Sequence, residues 1–292
     1  MEERHDVAKK VGVLGIIGNL FLFIIKIVVG IMSNSRAMIA DSLNSAGDIF
    51  ASFMTYLGNR ISSVPNDDDH NFGHGKAEYI FSMLIGISMI IVAGKLLYDS
   101  IISIVNGNKL LFSYKLIMIS IVTIITKLGL FLYTRHSYQK SENLLIKSNM
   151  LDHRNDIVIT SFTLIAILCS KHNIFFVDGV VGIGISIWIL ITGIKLYKES
   201  YDVLMDSAID NKSQKIILNI IKNHDEIKRI GNIYSVPIGY QYIVVITIYV
   251  DGEMKTETSH DVADNIEKEI LKEISKISNV IVHVEPYIVK SK

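Results

Sequence analysis

The chain has 292 residues, half of them apolar, and its 29 basic residues are balanced by 29 acidic ones. A single cysteine, Cys169, excludes an internal disulfide framework, the apolar content excludes disorder, and the zero net charge removes any overall pull towards nucleic acid. The charges are unevenly spread: residues 201–292 hold 25 of the 58, which separates an apolar front from a charged tail.

Six runs in the front are long and apolar enough to cross a bilayer as helices, at about 11–32, 38–60, 80–104, 112–133, 149–170 and 175–197. Val11–Ile31 carries only Lys26, Ile80–Ile104 only Lys95 and Asp99, and the fourth run only Lys127 once past Lys115 at its start. These three lysines read as snorkelling side chains or helix-pairing contacts. Glu2, Glu3 and Asp6 among the first basic residues argue against a removable signal peptide. With a cytoplasmic N-terminus, the inner segments would hold Arg4, Lys9, Lys10, Arg60, Lys76, Arg135, Lys140, Lys147 and Lys198. The outer loops would hold only Arg36, Lys109, Lys115 and Lys171. This bias predicts a multi-pass protein with both termini in the cytoplasm, and the compact form suits a bacterial plasma membrane.

The tail alternates helical and strand patterns. Ser213–Asn223 has helical spacing, a strand is expected near Ile230–Val236, and Tyr242–Val250 is a β-branched run stopped by Asp251–Gly252. Thr256–Lys276 is a charged helix, followed by a strand over Val280–Val284. The expected architecture is therefore a six-helix transmembrane domain, residues 1–205, and a cytoplasmic α-β-β-α-β domain of ferredoxin-like type, residues 206–292.

Ionisable groups at membrane depth are costly and usually functional. The second span carries Asp41, Asn44 and Asp48, and the fifth carries Asp152, His153, Arg154 and Asp156. Asn44 and Asp48 are four residues apart and share a helix face, and Asp152 and Asp156 repeat that spacing. Two such faces can enclose one cation between four oxygen-bearing side chains. The plainer alternative is that Asp152 pairs with a lysine or Arg154 and that Asn44 is a polar helix contact.

The segment Asp67-Asp68-Asp69-His70-Asn71-Phe72-Gly73-His74-Gly75-Lys76-Ala77-Glu78 resembles the loop signature of the cation diffusion facilitators, six-span metal-ion exporters. The span count, the paired sites and the tail pattern match that family in order. The resemblance implies a homodimer in the lipid bilayer that exchanges a divalent metal ion for protons by alternating access. It also implies a second metal site at Asp67, His70 and His74, a tail site at His260, His283 and Glu285, and a charged clamp between Lys76 and Asp206. Asn232 and Thr247 stand where zinc-type members have histidines, which weakens the tail site.

Zinc-type members carry a histidine where this chain has Asp152, and a helical wheel turns His153 about 100° away from the pair. The quartet Asn44, Asp48, Asp152 and Asp156 is then all oxygen, which suits harder ions better than zinc. An Asn–Asp pair facing an Asp–Asp pair resembles the manganese-exporting branch, so Mn(2+) is the expected substrate, with Fe(2+) and Zn(2+) as alternatives. A non-transporting metal-binding scaffold or sensor is the alternative from another class. No nucleophile–base arrangement or phosphate-binding loop occurs, so neither an enzyme nor an ATP-driven pump is expected.

Overall fold

Six helices of 27 to 31 residues occupy the front: α1 (Glu2–Met32), α2 (Arg36–Ser62), α3 (Ala77–Asn106), α4 (Tyr114–Ser141), α5 (Leu144–Ser170) and α6 (Phe176–Leu204). The structure is a computed structural model that describes residues 2–32, 36–106, 114–170 and 176–288. Among the described residues, α1, α3, α4 and α6 are apolar and long enough to cross a membrane by composition alone. The polar residues of interest fall on α2 and α5, which dilutes their hydropathy. Several helices outrun the apolar stretches predicted for them, α4 to Ser141 and α6 to Leu204. Hydropathy ends at the first charges, whereas Arg, Lys, Gln and Glu continue a helix at little cost.

The chain forms two compact units, one of Met1–Pro65 with Ala77–Tyr201 and one of Asn66–Lys76 with Asp202–Lys292. In the first, α1 lies along α2 and α4 along α5. Ala51, Ile85, Met89, Leu145, Ile185, Ile189 and Leu196 form its main buried apolar cluster. Leu14, Ile17, Phe21 and Ile24 of α1 and Ile91 and Val92 of α3 remain exposed, the surface that lipid rather than water suits.

Some buried polar groups in this unit are paired in networks. The Arg4 guanidinium meets the Glu78 carboxylate in fork-to-fork fashion, at 2.8 Å from Nη2 to Oε1 and 2.7 Å from Nη1 to Oε2. Glu78, 1% exposed, also accepts from the Leu144 backbone N–H at 2.6 Å and from Asn143 Nδ2 at 3.2 Å. Arg4 Nε donates to the Ser141 carbonyl at 3.0 Å. One carboxylate thus joins the starts of α1, α3 and α5 and the turn between α4 and α5.

The second unit contains α7 (Asn211–Lys222), β1 (Ile227–Pro237), β2 (Tyr242–Asp251), α8 (Thr256–Glu273) and β3 (Ile277–Tyr287). The sheet order is β1-β2-β3; β1 and β2 form an antiparallel hairpin, and β3 returns through α8 to pair parallel with β2. The expected α-β-β-α-β order is present. Ile217, Ile221, Ile246, Ile248, Ile266 and Ile270 are fully buried between the helices and one sheet face. Period-two alternation leaves Ile281 and His283 of β3 exposed.

Asp210 caps α7, its carboxylate accepting from the Lys212 and Ser213 backbone N–H groups at 3.0 Å each. The Ser213 backbone and hydroxyl donors hold this carboxyl below the usual carboxylate range. The lowered folded value means that the cap stabilises above the unfolded carboxylate pKa, and that this contribution fades as pH falls through the folded one. Asp210→Ala should cost about 1 kcal/mol locally at neutral pH. Faster amide exchange in α7 of the full chain is the expected readout; unchanged exchange would show that the cap contributes nothing.

Candidate metal centre

The quartet converges on one cavity. Asn44 and Asp48 of α2 and Asp152 and Asp156 of α5 all line a space of about 330 Å³, together with Lys26, Thr123, Lys127, Asn155 and Thr160. The i, i+4 spacing on each helix makes this possible, because it stacks both side chains of a pair above one another. The side chain of Asp41 lies outside the described residues.

Polar contacts fix how α1, α2 and α5 meet beside the cavity. Fully buried Asn19 donates through Nδ2 to the Asp48 carbonyl at 3.1 Å and to Ser52 Oγ at 3.0 Å. Ser52 donates in turn to Asn149 Oδ1 at 3.3 Å, and Asn149 Nδ2 donates to Thr55 Oγ1. These groups hold Asp48 and Asp152 in a definite register across two helices.

Three side chains refine the sequence reading, and for Lys127 the helix-pairing alternative holds. Lys127 does not snorkel: its side chain is 1% exposed, and its ammonium contacts Asp48 Oδ2 at 2.8 Å and also Asp156 Oδ2. It pairs α4 with both ligand helices. Arg154 leaves Asp152 alone and instead lies over the Trp188 ring, 4.4 Å from its centroid, with Nη2 3.3 Å from Thr192 Oγ1. His153 stays out of the cavity lining, yet its ring remains near the pair. One ligand atom each from Asp152, His153 and Asp156 lie within 4.8 Å of one another. A helical wheel places the Cβ atom, whereas an imidazole reaches several ångströms beyond it.

Orphaned polar atoms mark the same place. Asp152 Oδ2 and both His153 ring nitrogens are buried without a hydrogen-bond partner among the described residues. Buried groups of this kind are rare, and each calls for a ligand or an ion. Three carboxylates and one amide at a single cavity form a donor set for a divalent cation, with the His153 ring beside Asp152 and Asp156 but outside the cavity lining.

The loop cluster lies in the second unit. Asp67 Oδ1 accepts from the His70 backbone N–H at 2.6 Å and lies 3.3 Å from His70 Nδ1, while His74 Nε2 stands 3.7 Å from Asp67 Oδ2. One ligand atom from each of the three lie within 4.8 Å of one another. The His70 N–H bond holds the Asp67 carboxyl below the usual range, so it stays ionised as a ligand must. Gly73 takes φ +74°, the turn that lets both histidines approach the aspartate. Gly75 packs against the β1–β2 turn, where a Cβ would stand 2.8 Å from the Ile238 carbonyl oxygen. Lys76 Nζ lies 2.7 Å from Asp206 Oδ1, so the two clamp residues meet within one chain.

The tail residues are less assembled. His283 Nε2 lies 2.8 Å from Glu285 Oε1 along β3. His260 sits exposed on α8, and it forms no three-ligand group with them among the described residues.

Comparison with known proteins agrees with this layout. Residues 12–205 match the family model of the cation efflux transmembrane domain, and residues 209–287 match that of the cation efflux protein cytoplasmic domain. The manganese efflux system protein MneP of Bacillus subtilis (strain 168) is 30% identical over 292 residues, covering 98% of each chain. The magnetosome protein MamB of Magnetospira sp. (strain QH-2) is 29% identical, over 89% of this chain and 88% of its own. The metal-bound C-terminal domain of the CzcD transporter from Thermotoga maritima matches 28% of this chain and all of its own, at 23% identity and a TM-score of 0.27. Both family models fit the chain in order and a relative matches it nearly end to end, so the chain belongs to the cation diffusion facilitator family of metal-efflux transporters.

Proposed function

We propose that the chain exports Mn(2+) from the cytoplasm in exchange for protons, by alternating access around Asn44, Asp48, Asp152 and Asp156. The observation that carries this reading is the convergence of all four side chains on one cavity between the helices. Carboxylates bind a cation only when deprotonated, so metal and protons compete for the same oxygens. A site exposed alternately to the two sides converts that competition into exchange. The working form is a homodimer in the plasma membrane with both termini cytoplasmic, which the match to a cytoplasmic efflux domain supports. Asp67, His70 and His74 form a second, peripheral metal site, Lys76 and Asp206 brace the loop that carries it, and His260, His283 and Glu285 form a weaker site shared between tails.

Manganese is favoured by the oxygen-rich quartet and by the manganese efflux relatives. His153 adds a nitrogen donor beside Asp152 and Asp156, and this favours Fe(2+) or Zn(2+) as the second reading. Reconstituted protein should move Mn(2+) faster than Zn(2+), with a flux that follows an imposed proton gradient at clamped membrane potential. Asp152→His, which doubles the nitrogen donors, should shift preference towards zinc by roughly tenfold or more. Strong zinc flux with negligible manganese flux in the unaltered chain would overturn the manganese assignment.

A further inference from the structure

We propose that Lys127 is a tethered counter-cation of the transport site, occupying it whenever the metal is absent and being displaced when the metal binds. The inference rests on the reading that Asp48 and Asp156 hold the transported ion.

The geometry is direct. The Lys127 ammonium touches one oxygen of Asp48 and one of Asp156, so it bridges the two helices that supply the quartet. It comes from α4, which carries none of the proposed ligands. Its side chain is buried, and it lines the same cavity as the quartet. An ammonium and a divalent cation compete for those oxygens by ordinary electrostatics, because two positive charges a few ångströms apart repel strongly in a buried site. Metal entry therefore breaks two buried ion pairs and drives the lysine head aside.

Two consequences follow for transport. Affinity is set below what the oxygens alone would give, because part of the metal's binding energy is spent on displacing the lysine. Release is helped in the same measure, since the ammonium returns to its partners as the ion leaves. The empty carrier must also change conformation with its acidic cluster inside the membrane, where uncompensated charge is expensive. A tethered cation supplies compensation on every cycle.

The test compares full-length Lys127→Met and Lys127→Arg protein with the unaltered chain in lipid nanodiscs and proteoliposomes. Lys127→Met should bind Mn(2+) at least about tenfold more tightly at equilibrium and transport it at least about tenfold more slowly at saturation. Lys127→Arg, which keeps the charge, should stay within about threefold of the original affinity. Unchanged or weaker manganese binding by Lys127→Met would overturn the proposal, as would Lys127→Arg binding as tightly as Lys127→Met. Tighter binding with unaltered flux would overturn the role in the return step. Lys127→Gln is held to the same criteria where the methionine variant aggregates. Asp156→Ala separates the two readings. If it binds manganese normally, the site itself is misassigned, whereas lost binding together with an unaltered Lys127→Met affinity removes only the lysine's role.

Discussion

Asp48→Ala and Asp156→Ala should each lower manganese export by at least about a hundredfold. Changes to residues that merely orient metal ligands already cost about 10–100-fold, and these two carboxylates line the cavity proposed to hold the cation. The loss should appear in flux at every metal concentration, because the remaining donors come mainly from one helix and no longer enclose the ion from two sides. Lys127 would keep a single partner in either variant, which limits collapse of the cavity. Metal uptake into proteoliposomes, with size-exclusion profiles to verify folding, measures this. A variant that still confers full metal resistance on cells would favour the non-transporting scaffold over the exporter.

The second large effect concerns stability. Glu78→Ala removes the acceptor for Arg4, Asn143 and the Leu144 backbone N–H at once. It takes from a largely buried guanidinium its fork-to-fork carboxylate partner, a loss of about 3–5 kcal/mol. Thermal unfolding in detergent should fall sharply, and Glu78→Gln should recover part of the loss through its remaining oxygen. A Glu78→Ala protein as stable as the original would remove the network from the account of the fold. The contrast with Lys76–Asp206 is instructive. That pair has a similarly short contact, yet its side chains are 38% and 54% exposed, so solvent screening leaves it about 0–1 kcal/mol.

Much of the fold could be read from the order of residues, because hydropathy, β-branched runs and Asp-Gly turns are local signals. The quartet was legible for a similar reason: spacing along a helix fixes which side chains share a face. What the sequence concealed was the partner of each charge. Lys127 read like the other two lysines, as a snorkelling or helix-pairing side chain, and only its contacts with Asp48 and Asp156 distinguish it from Lys95. Its position near the middle of a span was the signal that could have singled it out. His153 lies outside the cavity lining, as its angular position on the helix predicts, and only side-chain length brings its ring near Asp152 and Asp156. Arg4 and Glu78 are separated by most of α1, all of α2 and the following loop, and no local pattern joins residues so far apart.

The low hydropathy of α2 and α5 bears on how the protein is made. Each charged side chain near the centre of a helix opposes its transfer from the insertion machinery into lipid by about 2.5–3.5 kcal/mol. Asp48 on α2, and Asp152, Arg154 and Asp156 on α5, impose that penalty where α1 and α4 offer strongly apolar surfaces. The chain sets each reluctant helix immediately after one of these and packs the two together. Biosynthesis is thus organised in hairpins, with α1 escorting α2 and α4 escorting α5. A polar or charged substitution on the lipid-facing side of α1 or α4 should therefore weaken insertion of its partner helix as well as its own.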